Sequence, residues 1–358
     1  MRPVGSWFAL PLTLLFALPA GAADFTALNL RAADRHIIPA YQRLAAETEA
    51  LASTADRFCT APDAAGLSTL RAAYGAALDG WQGIEHIRFG PVQLLLREHR
   101  YALWPDKRGS VGKHLDRLLA SRDPQALKPE AFATGSVAVQ GFSALERLLF
   151  GTESTAKAFA GDADASYRCA VVQTIAHNLA DMSRELASEW TRGPEAHRGY
   201  FATAAQGNAY YESDREVAGR LLNALHTELQ HVSEHKLGRP LGDNIGQGRG
   251  RRAESWRSGR SVANIRRNLS ALQALYEVAF APALDGNYPH AALEAGFARA
   301  LAALDAIPAP LDKAVGEPAG RAAVTQLQSA VNDLQTLVAG PLAEALDLTL
   351  GFNSLDGD

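Results

Sequence analysis

The sequence has little of what marks several common protein classes. It holds only two cysteines among 358 residues, which excludes a disulfide-dense miniature scaffold and a zinc site built from four cysteines. Lysine and arginine together number 35 against 39 aspartates and glutamates, and no long basic stretch offsets this net charge of −4. Because nucleic-acid-binding proteins normally present a basic face, the sequence predicts no nucleic-acid partner.

The motifs of several familiar enzymes are missing as well. The run Gly246-Gln-Gly-Arg-Gly250 has the composition of a phosphate-binding loop, but it follows a predicted helix and lacks the Lys-Ser/Thr of a P-loop. The run Gly141-Phe-Ser-Ala-Leu145 ends in leucine and follows no strand, so it is not a nucleophile elbow. The zinc-protease pattern His-Glu-x-x-His does not occur.

Residues 1–23 predict a cleavable signal peptide. Arg2 gives a positive start, residues 7–18 are apolar but too few to span a bilayer, and small residues lead to a junction near Ala23. The junction has no cysteine for a lipid anchor, and no later stretch is apolar for eighteen residues, so the mature chain is predicted to have no membrane span. In a bacterial cell, this predicts a periplasmic protein.

The periplasm is oxidising, so Cys59 and Cys169 can form a disulfide there. Closing the long loop between these two cysteines would stabilise the fold by up to about 4–5 kcal/mol on a chain-entropy model.

The mature chain is predicted to be all-α. It is rich in alanine, the strongest helix former, and apolar residues recur at helical spacing while no segment shows strand alternation bounded by hairpin turns. The predicted helices cover residues 36–55, 67–84, 111–119, 137–150, 164–190, 212–236, 254–280, 290–306 and 318–349.

A break at Gly193-Pro194 divides these helices into two halves of similar size. We predict an N-terminal bundle over residues 24–192 and a C-terminal bundle over 193–358, packed together and possible products of a duplication, although no residue-level repeat supports that origin. The Gly- and Arg-rich residues 238–252 are predicted to be a functional loop.

Three polar groups stand out on the predicted helices. Glu146 follows Phe142 and Leu145 on an apolar helix, where burying an acid is costly unless it is paired, and Gly141 inside that helix indicates a close backbone approach. Glu85 and Arg88 share a stripe with Trp81, although they could simply form an ion pair within the helix.

The third group is a set of histidines. His231 and His235 lie one helical turn apart, a spacing at which both imidazoles can bind one metal, and His226, Glu228 and Glu234 are nearby. A solvated polar face is the alternative interpretation.

Several segments together resemble the imelysin-like family of exported bacterial proteins. The family signature Gly-x-His-x-x-Glu aligns with Gly141, Ser143 and Glu146. Further matching segments run in order along the mature chain, namely residues 36–41, 88–91, 101–106 with Trp104 and Asp106, 256–261 and 351–358.

This resemblance implies two helical bundles with a cleft between them that contains Glu146. It also implies an exported role in iron uptake, and the activity attributed to the family is metal-dependent proteolysis with the signature His and Glu as candidate ligands. Here Ser143 replaces the histidine, and a hydroxyl is a poor ligand for zinc or ferrous iron. A peptidase would need an imidazole from elsewhere, for which His86, His36 and His177 are candidates.

Four interpretations of the cleft remain open. One is a hard-cation site, such as ferric iron, calcium or magnesium, formed by carboxylates; another is a site for an anion or polyol; a third is a buried network that holds the bundles together; the last is the peptidase. The carboxylates for the cation are Glu85, Asp106, Glu146, Asp356 and Asp358, and the groups for the anion are Arg88, Arg147, Ser258, Arg260 and Asn264.

We therefore predict a non-catalytic binding component of iron or metal acquisition. Glu146 is the foremost binding residue, Glu85 and Arg88 belong to the same cluster, and Ser143 faces it. For a bound metal, the candidate ligands are Glu146, Glu85 and His86. The alternatives are a metal-dependent peptidase and an interaction module for a periplasmic or outer-membrane iron-transport protein.

Overall fold

The computed structural model describes residues 23–284, 286, 288–308 and 310–351. Every regular element in these ranges is helical, which confirms the all-α prediction. The α-helices are α1 (Phe25–Ala32), α2 (Ile38–Thr60), α3 (Ala64–Gln82), α4 (Arg97–Tyr101), α5 (Ser110–Ser121), α6 (Pro129–Ala133), α7 (Phe142–Phe150), α8 (Ala163–Thr191), α9 (His197–Ala202), α10 (Asp214–Gln230), α11 (Arg239–Leu241), α12 (Ser261–Leu275), α13 (His290–Asp305), α14 (Leu311–Ala314), α15 (Pro318–Leu337) and α16 (Ala343–Ala345).

Wider and tighter turns extend or link these helices. The π-helical turns, which close hydrogen bonds five residues apart, are Ala33–Ile37, His231–Gly238, Tyr276–Phe280 and Val338–Leu342. The 3₁₀ segments are Gly90–Leu96, Pro124–Leu127, Val137–Val139, Ala156–Phe159, Ala204–Gln206, Ile245–Gln247, Gly250–Arg252 and Ala281–Ala283.

Several predicted helix bounds are wrong. The helix predicted over residues 254–280 begins only at Ser261, because Ser255 and Gly259 adopt positive φ angles of 51° and 69° and keep the chain before it in turns. The helix predicted over 318–349 ends at Ala345, and the one over 67–84 ends at Gln82.

Gly141 does not lie inside a helix as predicted but directly before α7, with an extended φ of −132°. The close approach expected at this glycine is present, since a Cβ there would lie 2.1 Å from the carbonyl oxygens of both Arg100 and Tyr101.

In the first half, α2 packs against α3 and α8 around a core that includes Tyr41, Leu44 and Leu51. A disulfide joins Cys59 at the end of α2 to Cys169 in α8, with Cα atoms 5.6 Å apart. This bond links the two longest helices of that half covalently.

In the second half, α15 packs against α10 and α13, and α12 lies against α13. Contacts between α3 and α12 bring the two halves together. Helix α1 also packs against the second half: Thr26 Oγ1 donates to Asp214 Oδ2 at 2.9 Å, and Asn29 Nδ2 donates to Asp214 O at 2.8 Å. Helix α1 therefore lies against α10, and the chain continues from it through a π turn into the first half.

No helix among the described residues is both long and apolar enough to cross a lipid bilayer. The predicted signal peptide falls almost wholly outside the described residues, as do Asp356 and Asp358.

Candidate functional site

A cavity of 230 Å³ lies where the two halves meet. The first half contributes residues between Ala102 and Val111 together with Phe142, Ser143, Glu146 and Arg147 of α7, and the second half contributes Arg239 and the segment from Arg251 to Arg257. We call this space the arginine cavity, because its lining includes Arg147, Arg239, Arg251, Arg252 and Arg257. Four predicted site residues also line it, namely Trp104, Asp106, Ser143 and Glu146.

Glu146 is buried in the wall of this cavity. Helix α7 buries Phe142 and Leu145 beside it, so its carboxylate sits on an otherwise apolar helix face. The predicted residue Ser258 provides its partners: the backbone N–H and the hydroxyl of Ser258 donate to the same oxygen, Glu146 Oε1, at 2.9 and 2.8 Å. Burial raises the pKa of Glu146, while the two Ser258 hydrogen bonds and Arg257 act in the opposite direction.

Ser143 and Asp106 each have a local partner. The Ser143 hydroxyl donates to the carbonyl oxygen of Leu103 at 3.3 Å. Asp106 accepts the backbone N–H groups of Ser110 and Val111 at 2.8 and 2.9 Å, which caps the start of α5 with a negative charge. Both contacts stabilise the rim of the cavity.

Glu85 and Arg88 lie in a second group, not in one cluster with Glu146 as predicted from the sequence. Helix α3 ends before them, and Arg88 donates to Glu228 Oε2 at 3.4 Å and to the backbone oxygen of Glu85. The alternative of a helical Glu85–Arg88 ion pair is therefore also wrong.

The centre of this second group is the buried ammonium of Lys236. Its Nζ forms an ion pair with Glu85 and lies 3.2 Å from Glu254 Oε2 and 3.9 Å from Glu228 Oε1. It also donates to the amide oxygens of Gln82 at 2.6 Å and Asn268 at 2.8 Å. We call these residues the lysine cluster: Gln82, Glu85, Glu228, Lys236, Glu254 and Asn268.

Electrostatics within the lysine cluster favour the charged lysine. Burial alone would lower the pKa of Lys236, but the carboxylates, first Glu254 and then Glu85, raise it well above its ordinary value. Burial raises the pKa of Glu85 and of Glu228, and Lys236 opposes this shift at both. The cluster joins α3 to elements of the second half, so it matches the interpretation of a buried network between the halves.

Glu254 links the two groups. Its side chain accepts hydrogen bonds from Gln82 at 3.2 Å and from the predicted residue Asn264 at 2.9 Å, while Glu254 itself lines the arginine cavity. Asn264 thus supports the cavity wall through Glu254.

The histidines are distributed over different environments. His231 is buried, 3.2 Å from an Arg88 nitrogen and 3.5 Å from Glu228 Oε1, and its ring contacts Trp104 edge to face at 5.7 Å. His226 instead interacts with Gln335. The rings of His231 and His235 are 5.4 Å apart.

His86 lies apart from the arginine cavity. Its Nε2 is 2.8 Å from His36 Nε2, and it lines a separate cavity of 200 Å³ beside Arg88. Burial lowers the pKa of both rings, that of His36 to about 4. His177 is exposed and pairs with Asp56.

One group of these residues has the spacing of a metal site. Glu85, Glu228 and His231 each offer one ligand atom, and these atoms lie within 4.8 Å of one another. Lys236 and Arg88, however, already place positive groups on these carboxylates and on His231, where a metal ion would be repelled. At the signature, Ser143 replaces the imidazole and Ser258 donates to Glu146, so neither set of side chains fits a bare divalent cation.

Sequence reasoning missed Gln82, Lys236, Glu254 and Asn268. Lys236 was the hardest of these to predict from the sequence, since a lysine on a helix is almost always solvated unless it is paired.

Folds of this kind are known from solved structures. The chain superposes with a TM-score of 0.75 on an imelysin-like protein from Psychrobacter arcticum, at 23% identity, covering 93% of this chain and 100% of that one. It superposes with a TM-score of 0.70 on an iron-regulated protein A precursor from Parabacteroides distasonis, at 15% identity, covering 91% and 98%. At these identities the likeness establishes the fold.

Sequence comparison establishes the family. The model of the imelysin peptidase family matches residues 37–338, so this chain belongs to the imelysin family. It is also 25% identical over 356 residues to Iron-regulated protein A of Synechococcus elongatus, with 92% of each chain covered. The resemblance found in the sequence is thereby confirmed.

Proposed function

We propose that this protein is an exported, non-catalytic binding component of iron or metal acquisition that holds its ligand in the arginine cavity. The observation that carries the proposal is the cavity itself, a 230 Å³ space between the halves that brings Trp104, Ser143 and Glu146 together with a set of arginines. Clefts with a few convergent polar groups are the usual ligand sites of proteins.

The link to iron rests on relatives. Two similar proteins carry the name iron-regulated protein A, one of them as a precursor, and a precursor form agrees with the signal peptide predicted over residues 1–23. We propose the periplasm as the place where the protein works.

A binding role agrees better with the donor set than proteolysis does. No histidine is among the residues that line the arginine cavity, so the described residues there provide no imidazole to replace the one missing at Ser143. We expect no chelator-sensitive cleavage of an unfolded protein substrate. Chelator-sensitive turnover that is lost in Glu146→Ala would favour the peptidase instead.

The proposal is tested by iron retention. The purified chain is dialysed against radioactive iron presented as ferric citrate, beside Ser143→Trp, which fills the cavity, and Ser166→Trp, which adds the same bulk at an exposed position of α8. We expect stoichiometric iron in the parent and in Ser166→Trp, and loss in Ser143→Trp. Equal retention in all three, or retention in none, would contradict the proposal.

One surface feature favours an additional protein partner. Leu94, Leu95 and Leu96 are exposed by 53%, 73% and 57%, and the last two both have φ near +56°, a strained conformation for leucine. The buried Arg97 holds this apolar loop, pairing with Glu189 at 2.6 Å. If an iron-transport protein docks here, Leu95→Ser should weaken its capture at least tenfold, and Ile245→Ser, at another exposed apolar position, should not.

A further inference from the structure

The wall of the arginine cavity carries positive charge that the described residues do not neutralise. Arg147 on α7 and Arg251 and Arg257 ahead of α12 make no ion pair within 4.0 Å with a described Asp or Glu. Burial lowers the pKa of Arg257, and the positive charges of Arg147 and Arg251 lower it further. The negative charge of Glu146 acts in the opposite direction. Like charges crowded in this way have a high affinity for a counter-ion.

These guanidinium groups are held in place without using their hydrogen-bond donors. The Cζ atoms of Arg257 and Arg251 lie 4.3 and 5.3 Å from the centre of the Trp256 ring. Such stacking engages the flat face of a guanidinium and leaves its N–H edge free for another partner. Arg147 is confined by α5, since a Cβ added at Gly112 would lie only 2.6 Å from Arg147 Nη2.

The acidic groups of the cavity have other hydrogen-bond or ion-pair partners. Both carboxylate oxygens of Asp106 accept backbone N–H groups of α5, and Glu254 belongs to the lysine cluster. Glu146 Oε1 is occupied by Ser258. A ligand that enters therefore meets the arginines as its strongest available partners.

We propose that the arginine cavity binds a small multivalent oxyanion, and that a metal enters it only inside an anionic chelate with its own oxygen ligands. A guanidinium fork pairs with two oxygens of a carboxylate or phosphate group, and three such forks suit a ligand with more than one anionic group. At 230 Å³ the cavity is smaller than the sites of drug-sized ligands, which start at about 300 Å³, so the ligand is small. The metal-carrying part of this inference rests on the proposed function.

The test is titration calorimetry of the full chain with four probes: citrate, inorganic phosphate, ferric citrate and a bare divalent ion, supplied as zinc chloride. We expect citrate and ferric citrate to bind, with affinity that falls as salt is added. The affinities for citrate and for phosphate, compared with each other, show which oxyanion the arginines prefer. In Arg147→Gln with Arg257→Gln, we expect binding to weaken roughly 100-fold, since hydrogen bonds to charged groups are among the strongest in proteins.

A second pair of variants leaves every charge in place. Gly112→Ala forces the Arg147 guanidinium to move and should weaken citrate binding about tenfold. Gly75→Ala is the matched control, because its Cβ would lie 2.8 Å from Arg260 Nη1, and Arg260 pairs with Asp79 outside the cavity lining. We expect Gly75→Ala to bind like the parent. This pair decides the question even if the double arginine variant does not fold.

The outcomes separate the inference from the proposed function. Citrate or phosphate binding that depends on the arginines, with no binding of ferric citrate, would support the oxyanion site and overturn the role in iron acquisition. Zinc binding tighter than ferric citrate and indifferent to the arginine substitutions would overturn the inference and leave a metal-binding role standing. Binding of no probe would overturn both.

Discussion

Ser258 donates two hydrogen bonds to one oxygen of Glu146, from its backbone N–H at 2.9 Å and from its hydroxyl at 2.8 Å. This contact joins a turn of the second half to a buried acid of the first, so it fixes the wall of the arginine cavity from both sides. It also explains how an acid can persist on an apolar face of α7, because buried polar groups need hydrogen-bond partners.

The first prediction concerns the pH dependence of stability at Glu146. Burial raises its pKa above the ordinary value of 4.5, so the folded chain retains a proton that the unfolded chain has already released. The unfolded state then binds fewer protons, and the free energy of unfolding falls as pH rises from about 4.5 through the folded pKa. Glu146→Gln should lose less stability over this window, as measured by urea unfolding between pH 4 and pH 8.

Glu130→Gln is the control for that experiment, since Glu130 is exposed on α6. The same slope in the parent and in Glu146→Gln would show that Glu146 does not retain its proton.

The second prediction concerns Lys236. Replacing it with alanine leaves Glu85, Glu228 and Glu254 buried without their shared ammonium group. Breaking a buried ion pair from one side costs about 3–5 kcal/mol, and we expect a loss of that size in chemical denaturation. Lys113→Ala, at an exposed site on α5, should cost less than about 0.5 kcal/mol. A loss below about 1 kcal/mol in Lys236→Ala would mean that the lysine cluster is hydrated.

The third prediction is that Lys236→Ala gains a metal site. Without the ammonium, the ligand atoms of Glu85, Glu228 and His231 lie within 4.8 Å of one another and face one positive group fewer. Zinc, which takes carboxylate and imidazole ligands, should therefore raise the melting temperature of Lys236→Ala and not that of the parent. Adding Glu228→Gln should abolish the gain. An equal zinc effect in the parent would show that Lys236 does not exclude cations.

These two predictions could not have come from the sequence. An α-helical spacing places residues five apart on different sides of a helix, which separates His231 from Lys236. The turn His231–Gly238 is π-helical and closes hydrogen bonds five residues apart, so both side chains turn toward Glu228. Helical periodicity has no signal for such a turn, and Glu254 lies in an irregular segment where periodicity has no meaning.

The parts that could be predicted depend on local pattern. Apolar spacing located most long helices, and Glu146 was recognised because an acid on an apolar face requires partners. The predicted helix bounds were wrong where backbone conformation, and not hydrophobicity, determines where a helix begins. Gly259 has a positive φ, and Gly141 lies in close contact with the backbone of Tyr101.

The fourth prediction concerns the disulfide between α2 and α8. Cys59 and Cys169 are 110 residues apart, so the bond closes a long loop and restricts the unfolded chain strongly. Cys59→Ser with Cys169→Ser should lower the free energy of unfolding by about 2–5 kcal/mol. Adding reductant should have no further effect on the double variant. Unchanged stability of the double variant would mean that the unfolded chain is not restricted by this bond.

The last prediction concerns His36 and His86, whose Nε2 atoms are 2.8 Å apart. Burial lowers the pKa of His36 from 6.5 to about 4, and burial, His36 and Arg88 lower the pKa of His86. In the unfolded chain His36 binds a proton below pH 6.5, whereas in the folded chain it does so only below about pH 4. The free energy of unfolding therefore falls as the pH is lowered from 6.5 to 4. A shift of this size corresponds to about 3 kcal/mol at His36.

The sign at His36 is opposite to that at Glu146, so the two effects can be separated in one set of unfolding curves. His36→Gln keeps an amide that can donate to His86 but does not titrate, and it should remove much of the loss of stability between pH 6.5 and pH 4. Glu146→Gln should leave that acid loss in place and reduce only the decline in stability as pH rises from about 4.5 through the folded pKa of Glu146. If His36→Gln loses stability on acidification as steeply as the parent, the folded His36 accepts its proton near neutral pH, and the His36–His86 contact is a charged one.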